Sequence, residues 1–312
     1  MENSCLVSVT VLAYNSAATI IETLESIKSQ TYHNIELIVS DDCSSDNTVE
    51  LCHKWIDNNN GRFVRTELLT VERNTGVCAN GNRALAVCRG LWRKGIAADD
   101  ILLPNCIEDF IAFLNDNPSA LWVSSYIREY RDSFDEANCI MRNGIYSQRF
   151  FDFPVEQQLH LMACRNVLYA PSIFFNVAMM RELGGFDEKY VAEDYVFYMR
   201  ALEKGYRCYF MPKETVGYRI HNSLAHSKKH LFNYFFQVEA RKMRKDLSFK
   251  YLTKTEKLGL RMIWCLEDII EKMGLNKNTK YMNYVYTKSR NIIVRFLLKG
   301  PKLICRSHLS LY

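Results

Sequence analysis

Residues 6–14 read LVSVTVLAY and residues 35–40 read IELIVS, two short, nearly unbroken apolar runs rich in β-branched side chains. Runs of this kind are strands covered on both faces, as in a parallel sheet lying between helices. Working outward from them, helical stretches begin near Ala17, Asn47 and Val77, and a further strand-like run covers residues 65–71. The alternation continues to about residue 130 and predicts an α/β fold, a mostly parallel sheet flanked by helices. In open sheets of this class, ligands bind beyond the carboxyl ends of the strands, where helix N-termini turn their N–H groups outward.

Three such ends are chemically loaded: Ala13-Tyr14-Asn15, the acidic run SDDCSSDNT at residues 40–48, and Ala98-Asp99-Asp100. Paired carboxylates such as Asp99-Asp100 offer hard oxygen ligands for Mg²⁺ or Mn²⁺, ions that bridge diphosphate oxygens. The same pair reads equally well as a helix cap, because Pro104 four residues on is a plausible first helical residue. Asp41 and Asp42 stand at a strand exit, where a carboxylate can accept from a base N–H or a ribose hydroxyl. Ser44, Ser45 and Asp46 read as turn formers and the cap of the next helix. A second acidic pair, Glu193-Asp194, follows Gly184-Gly185-Phe186-Asp187 and opens the helical stretch YVFYMRALEKG. A helix N-terminus lowers the pKa of such a carboxylate, so it is expected to be ionised and able to take a proton.

Charge is unevenly distributed along the 312 residues. From Lys228 onward there are 19 Lys or Arg against 6 Asp or Glu, whereas the preceding part has 21 against 29. The expected organisation is a catalytic domain at 1–227 and a basic, amphipathic helical C-terminal region at 228–312. Helical segments are predicted near residues 230–247, 255–273 and 281–298. Residues 134–154 are irregular and aromatic, and are expected to form a loop over the site.

Basic helices with aromatics set among Lys and Arg suit the surface of an anionic membrane or, as ordinary amphipathic helices, the flank of the catalytic domain. No nucleic-acid module is recognisable. The N-terminal residues lack the features of a secretory signal, and no apolar run reaches the roughly 18 residues needed to span a bilayer. The chain is expected to be cytoplasmic, at the inner face of the cell membrane if the tail binds lipid. Eleven scattered cysteines without a Cys-x-x-Cys pair argue against disulfides and against a structural zinc site, and predict reduced core residues.

Over roughly residues 5–225 the sequence resembles glycosyltransferase family 2. The resemblance is carried by VTVLAYNSAATIIETLESIKSQTY, SDDCSSDNT, NTGVCANGNRAL, GIAADDILLPN, the GGFDEKY-x-x-EDYVFYMRALEKGY block and YRIHNSLAHS. It implies a GT-A fold, Rossmann-like with a C-terminal helical extension, and single-displacement transfer of a sugar with inversion from a nucleotide-diphospho-sugar to an acceptor hydroxyl. By similarity, Ala13, Tyr14, Asp41 and Asp42 would hold the nucleoside, and Asn74, Gly76 and Asn82 would form the nucleotide wall. Asp100 would contact Mn²⁺ or Mg²⁺, and Asp99 the ribose or a metal-bound water. His221 would supply a further metal or diphosphate contact. Asp194 would be the base, with Glu193 its neighbour or substitute.

One departure is Ala98, where many relatives place another acid. UDP is the donor nucleotide by family habit, with GDP or dTDP as alternatives, and the acceptor would be a glycan or lipid-linked intermediate of surface polysaccharide or glycolipid synthesis. A Gln-x-x-Arg-Trp motif and membrane spans, the marks of processive relatives, are missing, so a single sugar is expected to be added. Two other readings make different demands on these residues. A sugar nucleotidyltransferase would carry a Gly-rich basic loop after the first strand, where this chain has AYNSAAT. A non-catalytic nucleotide-sugar binding module would not need intact acidic pairs.

Overall fold

The computed structural model describes residues 5–145, 147–220 and 229–298. Its strands are β1 (Val7–Ala13), β2 (Ile35–Asp41), β3 (Arg65–Leu69), β4 (Trp92–Ala97), β5 (Ile101–Leu102), β6 (Trp122–Arg131), β7 (Cys139–Gly144), β8 (Phe174–Asn176) and β9 (Tyr209–Ile220). The helices are α1 (Ile20–Lys28), α2 (Thr48–Asn59), α3 (Val77–Val87), α4 (Cys106–Asp116), α5 (Val155–Cys164), α6 (Val177–Glu182), α7 (Glu193–Glu203), α8 (Tyr234–Leu247), α9 (Lys254–Lys272) and α10 (Lys280–Leu297). Two compact units result. The first holds the described residues up to Ile145 with Leu168–Phe197 and Tyr206–Arg219. The second holds residues 147–167, Tyr198–Gly205 and the described residues from Ile220 onward, so it draws in two segments upstream of residue 228.

In the first unit the sheet runs β3-β2-β1-β4-β8-β6-β9-β5, with β7 added on β6. β1 and β2 are interior strands with nearly every residue buried, as the apolar runs predict. Pairing is parallel from β3 to β4 and antiparallel where β8 meets β4 and β6. The parallel arrangement expected from the sequence is therefore confined to the first half of the sheet. Beyond β4 the remaining strands pair antiparallel, β5 with β9 and β6 with β7 and β8, a pairing that does not require the crossover connection of parallel strands. Residues 139–144, expected to be loop, form one of them, pairing antiparallel with β6 through irregular registers.

The amino edge of this sheet is closed by a buried carboxylate. Glu36 in β2 accepts from Ser8 Oγ (2.5 Å), Arg65 Nη1 (2.9 Å), and the backbone N–H groups of Arg89 (2.6 Å) and Gly90 (3.0 Å). Burial alone would raise its pKa, but these donors together hold it below the ordinary carboxylate range. Gly90 is required there, because a Cβ would sit 2.6 Å from the Ser8 nitrogen.

In the second unit, α9 opens with a capping box between Thr253 and Glu256. Phe232, Ile270 and Tyr286 form a small core. Beside it Tyr286 Oη donates to Glu267 Oε1 (2.8 Å), and Glu267 Oε2 also pairs with Arg241 (3.0 Å), tying α8, α9 and α10 together. The tail helices fall close to their predicted spans. The first starts at Tyr234, later than expected, because Asn233 caps it by accepting from Phe236 N. Among the described residues, no helix is long and apolar enough to cross a membrane.

Candidate active site

Strand register sets the site. Ala13 pairs with Asp41 and Leu12 with Ala97, so β1, β2 and β4 end at one level. Backbone bonds carry that alignment into the loops: Asp42 N donates to Ala13 O (2.9 Å) and Ala98 N to Leu12 O (3.1 Å). The loops after β1 and β2 are zipped together. Asn15 N donates to Ser44 Oγ (2.7 Å), Ser45 N to Asn15 Oδ1 (2.8 Å), Ser16 N to Thr48 Oγ1 (2.8 Å) and Ala17 N to Asp46 Oδ2 (3.1 Å). Asn15 and Cys43 adopt φ of 50° and 66°, left-handed conformations that these bonds hold in place. Ser44, Ser45 and Asp46 thus have the turn-building part expected of them, and Tyr14 is left 52% exposed at the mouth of β1.

The carboxylates on this rim differ in how far their acceptor capacity is used. Asp41 Oδ1 accepts from Ser44 N (2.8 Å) and Oδ2 from Ser44 Oγ (2.5 Å), which leaves lone pairs on both oxygens. Asp42 is fully engaged by Thr75 N (3.0 Å), Thr75 Oγ1 (2.5 Å), Gly76 N (2.7 Å) and Arg83 Nη2 (3.2 Å). Its work in this structure is to latch residues 74–76 to the strand ends, and the donors outweigh burial and lower its pKa. Asn74 Oδ1 accepts from Gly76 N (3.2 Å), and Gly76, at φ 89°, caps α3.

Asp99 and Asp100 leave β4 together. The helix-cap reading of this pair fails because β5 intervenes and α4 starts only at Cys106, capped by Asn105. Asp100 is 2% exposed, and its side chain accepts one hydrogen bond, from Arg219 N to Oδ1 (2.9 Å). Burial, then the adjacent Asp99 charge, push its carboxyl well above the ordinary range. Arg219 in β9 clamps this corner: Nε donates to Asp99 O (2.9 Å), Nη1 to Asp132 O and Nη2 to Glu22, with the guanidinium 4.2 Å from the Phe134 ring centroid. The sequence reading quoted Arg219 only as the residue two before His221. His221 itself lies outside the described residues.

The second acidic pair is carried to α3 by residues 184–190. Asn82 Oδ1 accepts from Phe186 N (2.8 Å), while Asn82 Nδ2 donates to Phe186 O (2.9 Å) and Glu188 Oε1 (2.9 Å). Asn82 is therefore a pin for the GGFDE turn. The approach requires Gly185, at φ 67°, whose Cβ would meet Asn82 Oδ1 at 2.5 Å, and Gly81, whose Cβ would meet the Phe186 ring at 2.8 Å. Cys78 Sγ, two residues past Gly76, reaches Tyr190 O at 3.2 Å.

Glu193 and Asp194 then open α7, both partly exposed. Burial and the neighbouring Asp194 charge push Glu193 up to about 7, against a smaller pull from a backbone N–H and the Arg93 charge. The lowered pKa expected from the helix N-terminus is thus reversed at Glu193, because desolvation and a like charge exceed the dipole. Arg93, which sequence reasoning missed, is buried in β4 with its guanidinium 5.5 Å from the Phe186 ring centroid; its Nε has no partner among the described residues. Sequence pattern gave no signal for it beyond a charged residue in a strand.

The donor set at Asp99-Asp100 fits a divalent cation. It offers hard oxygen donors and, in Asp100, a buried carboxylate with an uncommitted oxygen, whose raised pKa shows that burial and the Asp99 charge exceed the pull of Arg219 and Lys94.

Comparison with known proteins points the same way. The family profile "Glycosyl transferase family 2" matches residues 8–174, and "Glycosyl transferase family group 2" matches residues 96–307. An uncharacterized glycosyltransferase of Haemophilus influenzae is 26% identical over 324 residues, covering 100% of this chain and 94% of that protein. The Escherichia coli UDP-Glc:alpha-D-GlcNAc-diphosphoundecaprenol beta-1,3-glucosyltransferase WfaP is 25% identical over 219 residues, covering 69% of this chain and 78% of its own. Among solved structures, the mannosyltransferase PcManGT of Pyrobaculum calidifontis, in complex with GDP-Man and Mn²⁺, superposes with a TM-score of 0.59 at 17% identity over 97% of this chain and 81% of that one. The fold is the GT-A fold.

Proposed function

Because the chain belongs to glycosyltransferase family 2, we propose that it transfers a single sugar, with inversion, from a UDP-sugar to an acceptor hydroxyl in surface polysaccharide or glycolipid synthesis. The observation that carries this reading is Asp100, a carboxylate 2% exposed at the strand ends whose side chain accepts one hydrogen bond, with the acidic pair Glu193-Asp194 opening a helix of the same sheet unit. A buried carboxylate with acceptor capacity to spare is a place for a ligand.

Tyr14, exposed at the end of β1, would lie against the base, and Asp41 has acceptor capacity left for it. Ala13, Asn74, Gly76 and Asp99 line the nucleotide-sugar, whereas Asp42 and Asn82 act through the loops they hold. Asp100, with His221, would hold Mn²⁺ or Mg²⁺. Such an ion, when bound, supplies positive charge to a departing diphosphate. Asp194 takes the proton of the acceptor hydroxyl as that oxygen attacks the anomeric carbon. Glu193 stands beside it with its carboxyl pushed up to about 7, so the pair resists bearing two full charges. Arg93 sits behind Glu193 as a fixed counter-charge. On this reading residues 1–227 form the catalytic domain.

α10 contains no Asp or Glu and exposes Tyr281, Tyr284, Ile292 and Phe296 with Lys288 and Arg295. That composition supports docking of the C-terminal region on an anionic membrane, where a lipid-linked acceptor would be met. Nucleic acid is not an expected partner.

The direct test is release of nucleoside diphosphate from a panel of UDP-, GDP- and dTDP-sugars, with a chelator control. Metal-dependent release from one donor class supports transfer. No turnover of any donor, with or without lipid-linked acceptors, would return the chain to the reading of a binding module.

A further inference from the structure

The second unit brings together three side chains that sugar transfer does not use. His160 and Cys164 lie four residues apart on α5, and Glu256 lies in the first turn of α9. Their ligand atoms all lie within 4.8 Å of one another, with Cys164 and Glu256 buried and His160 partly exposed. His160 Nδ1 is 2.9 Å from the carbonyl oxygen of Tyr251, which can only accept, so Nδ1 carries a hydrogen and donates it. The other ring nitrogen, Nε2, faces Glu256 Oε1 at 3.1 Å and Cys164 Sγ at 4.0 Å. Glu256 Oε2 is taken by Thr253 N and Thr253 Oγ1, both at 2.9 Å, so Oε1 is the oxygen turned into the cluster. With a neutral ring, two lone pairs would confront each other at 3.1 Å. Something positive has to sit between them, either a second proton on the imidazole or a metal ion.

The architecture favours the metal. An imidazole oriented through one nitrogen by a backbone carbonyl presents the other as a ligand, the usual outer-shell arrangement of metal-binding histidines. A nitrogen, a sulfur and an oxygen donor together suit zinc, whose bonds of about 2.0–2.3 Å set tetrahedral edges near 3.3–3.6 Å. The two separations from His160, 3.1 and 4.0 Å, reach those edges with shifts of about half an ångström, and Cys164 Sγ and Glu256, within 4.8 Å of each other, close the third edge by side-chain rotation. Thiolate and carboxylate together neutralise the ion, which removes the main obstacle to burying it. Arg244, donating from Nη1 to Cys164 O at 3.2 Å, is the cation beside the cluster; it favours the thiolate and opposes the metal. Lys250 nearby in sequence is held by Glu203.

We propose that His160, Cys164 and Glu256 bind one zinc ion, with water as the fourth ligand, clipping α5 to the start of α9. Binding breaks the Cys164 S–H bond; the proton leaves to solvent and the sulfur lone pair forms the Zn–S bond. Without metal, burial pushes the Cys164 thiol up, so the apo protein keeps it protonated. The expectation of no zinc site rested on the missing Cys-x-x-Cys pairs. A His-x-x-x-Cys turn of helix completed by a glutamate 92 residues later escapes that criterion.

The test uses the full-length chain, freed of metal by a chelator and titrated with cobalt(II) and then zinc. One equivalent of cobalt is expected to give a thiolate-to-metal charge-transfer band with intense tetrahedral visible bands, both displaced by zinc. Zinc at about a hundredfold over its dissociation constant is expected to raise Tm by roughly 5 °C or more. Cys164→Ser should abolish the charge-transfer band. Asp100→Asn should keep it, separating this site from the one proposed for sugar transfer. If Cys164→Ser does not fold, the wild-type cobalt spectrum decides alone. A spectrum without the thiolate band, or no stoichiometric zinc binding, overturns the proposal and leaves the cluster as an imidazolium–carboxylate pin.

Discussion

Glu36 and Asp100 are both buried carboxylates of one sheet, at its amino and carboxyl edges, 0% and 2% exposed. Glu36 is surrounded by four donors and its pKa falls; Asp100 accepts one hydrogen bond beside another acid and its pKa rises. Both are shut off from solvent, and they differ in the donors given to each and in the acid beside Asp100. The amino edge is finished by the fold alone, whereas on the proposed function a ligand would complete the carboxyl edge. Stability should therefore depend on Glu36 and activity on the acids of the far edge.

Removing the first carboxylate gives the largest change in stability. Glu36→Ala orphans the Arg89 N–H, leaves Gly90 N with Ser8 Oγ alone and takes one carboxylate from Arg65, and is expected to cost about 3–5 kcal/mol in urea unfolding, with donor turnover per folded molecule unchanged. An equally large effect of opposite kind is expected at the other edge. Asp194→Asn should lower kcat by about 10²- to 10⁴-fold while Tm stays within a degree or two. A large stability loss there would break the comparison.

Glu193 sharpens it with a sign. A carboxyl whose folded pKa is raised from 4.5 to about 7 binds more protons when folded than unfolded between those values, so stability is full below about pH 4.5 and falls as pH rises toward 7. Glu193→Gln removes that penalty. The variant is expected to be more stable than wild type by roughly 1–3 kcal/mol at pH 8, by nothing near pH 4.5, and to be much less active. Thermal unfolding across that pH range checks it, and a variant equally or less stable at pH 8 would show that Glu193 is not strained. The smallest effect is at Tyr14: Tyr14→Ala should raise the donor KM about tenfold, the worth of one base stack, with little change in kcat.

Much of this division could be read from residues close together in sequence. The apolar runs at 6–14 and 35–40 placed the parallel strands, because burial on both faces leaves a local signature. The two acidic pairs were visible as unusual neighbours at strand and helix ends. What stayed hidden depends on residues far apart meeting in space. Asp42 looked like a ligand residue until Thr75, Gly76 and Arg83 were seen to fill it. Asn82 looked like part of the nucleotide wall, although its side chain is spent on Phe186 and Glu188. Arg219, Arg93 and the His160 cluster had no signal, since no period or spacing links residues contributed by separate elements. The dipole argument for Glu193 failed for a related reason: burial is a tertiary property, and it exceeded the local effect.

The most direct test of the central claim is a thermal-shift panel of UDP, GDP, dTDP and CDP, each with and without Mn²⁺, on wild type and Asp100→Asn. The account predicts a rise in Tm with UDP that is larger with Mn²⁺, the metal-dependent part disappearing in Asp100→Asn while the apo Tm holds or increases. No shift with any nucleotide, or a metal-dependent shift that survives loss of the Asp100 carboxylate, would contradict it.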